Sequence, residues 1–262
     1  MDKILFGKYV PGKSFIHELN PACKIIISFI LILTTLMTHN FIQYAFLLGL
    51  LFVLIKISKI SIKFFLSGVK PLLWIIILTV MIQLFFSSKG QVIFSFSFIK
   101  ITDYSLFNSG LIFLRFLIII IASTLLTLTT NPIEISDGIS TILSPLKKVH
   151  FPVETVSMMI SISLRFVPTL SEETKTILEA QKSRGIDFDT GKLSKRIKNI
   201  ISLIIPLFVS ALRHAEGLAN AMEARGYSTE IKRSHYLEYK WNLKETISLI
   251  FIILIGIIIW LM

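Results

Sequence analysis

Apolar residues run almost without interruption through five stretches of the chain, at about 22–38, 41–57, 69–86, 110–130 and 244–262. A helix needs roughly 20 apolar residues to cross about 30 Å of hydrocarbon, so these runs are the expected transmembrane helices. Only Thr38, His39 and Asn40 separate the first two, which predicts a tight turn and an antiparallel helical hairpin. The first run does not read as a cleaved signal peptide, because further spans follow it and no small-residue processing site does.

Between the fourth and fifth runs lie about 110 residues with a different pattern. A short helix at about 133–144, closed by Pro145, leads into two long helical patterns at about 153–184 and 194–225. The first is apolar in its opening half (V-S-M-M-I-S-I-S-L-R-F-V) and polar in its second (S-E-E-T-K-T-I-L-E-A-Q-K-S-R). The second repeats the plan, I-I-S-L-I-I-P-L-F-V-S-A-L and then R-H-A-E-G-L-A-N-A-M-E-A-R. Each apolar half is about a dozen residues, too short to cross a bilayer, while a helix of some 30 residues is roughly 45 Å long. Both helices are therefore expected along or obliquely beneath the inner membrane surface, apolar half upward. Pro168 and Pro206 stand at matching early positions and predict kinks. The expected fold class is all-α: a polytopic membrane protein with about five transmembrane helices and a cytoplasmic coupling domain of about three helices, two of them long and kinked. By hydropathy the chain divides into 1–130 with the first four spans, 131–243 as the coupling domain, and 244–262 as the last span.

Composition agrees: 53% of the 262 residues are hydrophobic and 16% charged, far from an ordinary soluble domain. The net charge of +11 comes from 27 Lys and Arg. Four lie before residue 25, four between 56 and 70, two between 87 and 109, one at Arg115 and sixteen between 131 and 244. By the positive-inside rule the amino terminus and the 131–244 segment are expected on the cytoplasmic side of a bacterial cell membrane, with the 87–109 connection and the carboxyl terminus outside. The charge thus follows membrane sidedness and lacks the aromatic interleaving of a nucleic-acid binder. In the external connection V-I-F-S-F-S-F-I-K-I-T, Val92 to Thr102, alternates as a short strand or hairpin does.

Catalytic and metal chemistry find little support. Cys23 is the lone cysteine, and His17, His39, His150, His214 and His235 are scattered without ligand spacing. Glu172 with Thr176, and Glu179 with Ser183, read as solvated helix faces. No metal or cofactor is expected on this chain, and no catalytic site. Arg115, a few residues into the fourth run, reads as snorkelling to the interface or pairing inside the bundle, with a substrate contact as the remaining alternative. One match needs an account: G-K-Y-V-P-G-K-S, Gly7 to Ser14, fits the phosphate-binding pattern G-x-x-x-x-G-K-[ST]. That loop requires a long following helix, yet Pro21 comes seven residues after Ser14, and Pro11 removes a backbone donor. The match is read as accidental.

The sharpest repeat closes the two long helices: Ser183-Arg184-Gly185 and Ala224-Arg225-Gly226, 41 residues apart. Glycine supplies a left-handed stop and arginine complements the helix dipole, so each copy alone is adequately a C-cap. Two copies on matching helices point further, to paired docking heads whose planar guanidinium groups suit acidic grooves on partners. Met158, Met159 and Met222 offer adaptable packing, and Ser157, Ser161 and Ser163 allow close helix approach, although ordinary packing explains them equally well.

With Y-V-P-G-K-S-F-I-H-E-L-N-P-A-C-K, T-T-N-P-I-E-I, M-M-I-S-I-S-L-R-F-V-P, A-Q-K-S-R-G-I-D and A-M-E-A-R-G-Y in that order, nearly the whole chain resembles the transmembrane T component of energy-coupling factor (ECF) transporters, ABC-type uptake systems for vitamins and trace metals. The resemblance implies two cytoplasmic ATPases, a heterodimer that holds ATP and Mg²⁺, and exchangeable membrane S components that bind substrate. It also implies that Ser183, Arg184, Gly185, Ala224, Arg225 and Gly226 dock the ATPases. Ser183 replaces the family's usual Ala, and Asn20 and Ala22 stand in an L-D-P-R-like position. The N-terminal likeness favours the shared type of T component over a dedicated biotin or metal-ion version. The rival is the permease of an ordinary ABC importer with a single coupling helix, since E-A-Q-K-S-R-G resembles the start of its coupling loop. The I-x-L-P continuation is missing, and the second small-Arg-Gly would be unexplained.

Overall fold

The computed structural model describes residues 9–86, 91–96, 99–149, 151–188, 192–228 and 241–261. In chain order the elements are α1 (Phe15–Glu18), α2 (Pro21–Met37), α3 (Phe41–Ser58), α4 (Ile62–Phe86), strands β1 (Val92–Phe96) and β2 (Ile99–Thr102), α5 (Asp103–Thr129), α6 (Pro132–Leu143), a 3₁₀ turn (Ser144–Val149), α7 (Val153–Ser183), α8 (Leu193–Ala224) and α9 (Leu243–Leu261). The all-α class holds, with one antiparallel two-stranded ribbon where the alternating segment predicted a hairpin, bulged between Val92 and Phe94. Packing separates two units: Met1–Pro145 with Tyr239–Met262, and Leu146–Glu238. This division follows contacts rather than hydropathy, so α6 falls with the first unit because it packs on α2.

In the first unit α5 is the central helix, packed against α2, α3 and α4. Tyr44, Leu47 and Leu51 of α3, Leu111 and Ile118 of α5 and Ile252, Ile255 and Ile259 of α9 share one core with Leu31 of α2. The tight turn at 38–40 forms as expected, with Asn40 opening α3 through a capping box with Gln43. The hairpin itself is looser than expected, because α2 packs equally on α5, α6 and α9 and α3 chiefly on α5, rather than on one another. A short loop makes two helices neighbours in sequence; here α5 packs on both, and α6 and α9 cover the rest of α2.

Polar side chains reach across this unit to carbonyls that helix ends leave open. Arg115 Nε donates to the Tyr44 hydroxyl at 3.0 Å and its Nη2 to the Thr38 carbonyl at 3.1 Å, which assigns this arginine to pairing within the bundle. Gln43 donates to Ile259 O at 2.9 Å. Lys24, 5% exposed, donates to His17 O at 2.8 Å and Thr129 O at 3.2 Å. Beyond Thr129, Asn131 caps α6 by accepting from Ile133 N while Glu134 accepts from Asn131 N, and Pro132 takes the first helical position, where no donor is needed.

By length and composition alone, five described helices are long and apolar enough to cross a membrane: α3, α5, α7, α8 and α9. The apolar runs at 22–38 and 69–86 fall in the 17-residue α2 and in α4, whose Leu72–Phe85 is a shorter apolar helix. Three helices are therefore common to both sets. Helices α7 and α8, 31 and 32 residues long, each contain an 18-residue stretch apolar enough to cross, longer than the dozen-residue apolar halves expected from the sequence.

α6 comes so close to α2 that a Cβ on Gly138 would lie 2.9 Å from both Ala22 N and Pro21 C, backbone atoms that cannot swing away. Gly138→Ala is expected to lower stability by about 1–3 kcal/mol through overpacking. Gly49→Ala, with open space around the new carbon, should be neutral or stabilising by up to about 1 kcal/mol. Thermal unfolding of the two variants in one detergent checks the contrast.

Candidate functional site

The two small-Arg-Gly segments end their helices in the same way, atom for atom. Ser183 is the last residue of α7, Arg184 the cap, and Gly185 turns left-handed at φ +82°. Gly185 N donates to Lys182 O at 2.9 Å and Ile186 N to Gln181 O at 3.1 Å. At the end of α8, Ala224 is followed by Arg225 as cap and Gly226 at φ +73°. Gly226 N donates to Glu223 O at 2.9 Å and Tyr227 N to Met222 O at 3.0 Å. Both are Schellman caps, in which the last carbonyls of a helix are satisfied by the residues that leave it.

The glycines are required by backbone angle and not by crowding, since a Cβ at either position would meet nothing within 4 Å. Arg184 and Arg225 are exposed, and neither guanidinium has a hydrogen-bond or ion-pair partner among the described residues. The Ser183 hydroxyl turns back to Glu179 O at 3.0 Å. Each helix thus presents a small residue, an exposed arginine and a sharply turned backbone.

The second unit rests on the packing of α7 against α8. Three contacts give their direction. Gln181 Nε2 donates to Ser202 O at 3.2 Å, His214 Nε2 donates to Glu173 Oε1 at 2.6 Å, and the Phe166 ring lies 5.9 Å from that of His214. As the number falls along α7 it rises along α8, so the helices run antiparallel. Asn199 donates to Asp187 O just past the first arginine, and from Asn199 to Arg225 the helix rises roughly 40 Å. The two arginine ends therefore lie at opposite ends of the pair.

Pro206 explains one of these contacts. Residue 206 of an α-helix would normally donate to the carbonyl of residue 202, and proline has no N–H to give. The Ser202 carbonyl is left open inside a continuous helix, and the buried Gln181 fills it from α7. In the sequence Pro206 predicts a kink; its further consequence is an open acceptor for another helix, which a single helical pattern does not reveal. The hydrogen bond from His214 likewise holds the Glu173 carboxyl below its ordinary range, against the opposing effect of burial. Neither Glu173 nor His214 was singled out as a pair from sequence, because 41 positions separate them.

No residue of α8 is buried. On the side away from α7, Ile197, Ile200, Ile201, Ile204, Ile205 and Phe208 form an exposed apolar stripe at helical spacing. It stops at Leu212, where the sequence turns to Arg213 and His214.

The phosphate-loop pattern at the amino terminus has other employment. Ser14 caps the four-residue α1, its hydroxyl 2.7 Å from His17 Nδ1, while Val10 N donates to Leu128 O at 3.0 Å. Gly7 and Lys8 lie outside the described residues. No group of three or more potential metal ligands occurs among the described residues.

Residues 12–237 match the family model described as cobalt transport protein, CbiQ. The chain is 43% identical to the energy-coupling factor transporter transmembrane protein EcfT of Streptococcus thermophilus over 99% of this chain and 98% of that protein. It is 43% identical to EcfT of Listeria innocua over 100% and 99% of the two chains, and 41% identical to EcfT of Bacillus subtilis over 99% and 98%. The chain belongs to the EcfT family. Membership and the long apolar helices together make it a multi-pass membrane protein and the transmembrane component of an energy-coupling factor transporter.

Because both caps need a left-handed residue, Gly185→Ala and Gly226→Ala should each cost about 1 kcal/mol, whereas Asn at either position should cost less. Amide hydrogen exchange at Ile186 and Tyr227, whose N–H groups close the caps, should quicken in the alanine variants and far less in the asparagine ones.

Proposed function

We propose that this chain couples two cytoplasmic ATPases to a substrate-binding membrane S component, for uptake of vitamins or other micronutrients. The observation that carries the reading is the pair of matching Schellman caps, each presenting an exposed arginine unpartnered among the described residues, at opposite ends of one antiparallel helix pair. Two heads of the same geometry suit two grooves of similar shape, as a dimer of related ATPases offers. Ser183, Arg184 and Gly185 dock one subunit, and Ala224, Arg225 and Gly226 the other, each arginine fork meeting a carboxylate. A permease with a single coupling helix would use only one of the two.

Helices α7 and α8 lie at the inner surface, and the exposed stripe from Ile197 to Phe208 faces the bilayer or the S component above it. Closure of the ATPases on ATP moves the docked ends, and the long helices carry that motion to the S component. ATP and Mg²⁺ belong to the partners. On this chain Ser14 is engaged in capping α1, which supports reading the N-terminal pattern as an anchor to α5 rather than a nucleotide site.

Arg184→Glu with Arg225→Glu is expected to abolish co-purification of the ATPases in mild detergent and to reduce ATP-driven vitamin uptake in vesicles to background. Retention of both would overturn the docking assignment. Photo-crosslinking of labelled ATP to the isolated chain should give no signal that disappears in Lys13→Ala; such a signal would return the nucleotide site to this subunit.

A further inference from the structure

Among the described residues two polar ties join α7 to α8, Gln181 with Ser202 and Glu173 with His214, the second reinforced by the Ser210 hydroxyl beside Glu173, and they sit at different distances from the connection between the helices. The inner tie, Gln181 Nε2 to Ser202 O, exists because Pro206 leaves that carbonyl without its helical donor. The outer tie, His214 Nε2 to Glu173 Oε1, lies eight residues back along α7 and twelve residues on along α8, or roughly 12 and 18 Å of helix. Phe166 packs beside the His214 ring and holds it toward the carboxylate. The rest of the shared surface is made of half-buried small and aliphatic groups such as Leu203, Leu207 and Ala211, which fix spacing but allow sliding and rotation. A directional bond at two separated points does not allow either.

We propose that Gln181 and the Glu173–His214 pair are positioning residues that lock α7 and α8 into one rigid body. The proposal rests on the coupling role assigned above. A push applied at Arg184 and Arg225, at opposite ends of the pair, is then transmitted as movement of the whole unit. Without the ties the same push is spent in slippage between the helices. Hydrolysis then continues while transport falls.

The test uses the complex with its ATPases, reconstituted in vesicles with an S protein for riboflavin and tritiated riboflavin as the probe. The variants are Gln181→Ala, Glu173→Ala and the two together. Each should still co-purify the ATPases and hydrolyse ATP, but the riboflavin carried per ATP should fall about fivefold or more in the double variant. His214→Gln, which keeps a donor for Glu173, should retain most of the coupling, whereas His214→Ala should match Glu173→Ala. Pro206→Ala gives Ser202 O its helical donor back, so it should weaken the bond from Gln181 and move in the direction of Gln181→Ala.

A second measurement stands apart from transport. Spin labels at the exposed positions of Lys175→Cys and Arg213→Cys should give one narrow distance in the parent complex and a broad distribution when Gln181 and Glu173 are both alanine. An unchanged distance distribution, or a proportional fall of uptake and hydrolysis, would overturn the proposal. Failure of the parent chain to co-purify any ATPase would instead overturn the coupling role itself.

Discussion

A carbonyl without a donor is the constraint that shapes this molecule. In an apolar surrounding each unsatisfied backbone group costs several kcal/mol, and every helix end leaves up to four carbonyls open. Here those carbonyls are closed by side chains from other helices. Thr38 O, at the end of α2, accepts from Tyr44 and Arg115. Ile259 O in α9 accepts from Gln43, and Thr129 O at the end of α5 accepts from Lys24. The bonds that satisfy the backbone are thereby the bonds that decide which helices are neighbours. Apolar packing alone, with so many similar Leu, Ile and Phe side chains, would specify far less.

The same logic extends to the second unit, where the open carbonyls have different fates. At the ends of α7 and α8 the chain satisfies its own carbonyls through the Schellman turns. The arginines at these caps are thus released from any capping duty, and among the described residues neither guanidinium has a partner. A helix that ended without glycine would draw its arginine or lysine back onto the last carbonyls. Inside α8, Pro206 opens Ser202 O, and the bond goes to α7.

Much of this was legible in the sequence, for identifiable reasons. Periodicity and breakers placed α3, α5, α7, α8 and α9 to within a few residues at most ends, because apolar runs, Pro132, Pro152 and the two Arg-Gly stops are local signals. The small-Arg-Gly repeat stood out because its geometry lies within three residues. What stayed hidden was long-range. The looseness of the α2–α3 hairpin depends on α5, some 70 positions away. The Glu173–His214 and Gln181–Ser202 bonds depend on the register of two helices, which hydropathy does not encode. Arg115 allowed several readings until Tyr44 and the Thr38 carbonyl supplied its partners.

The two prolines sharpen the point about what a motif carries. Pro168 and Pro206 occupy similar places in similar helices, and both helices run through them unbroken. At Pro206 the missing N–H is compensated from α7, so the residue helps to join two helices. Glycine caps close the two helix ends, and a proline paired with a glutamine on the facing helix ties one helix to the other. Both devices act on backbone carbonyls, and both leave the charged caps and the apolar stripe of α8 exposed.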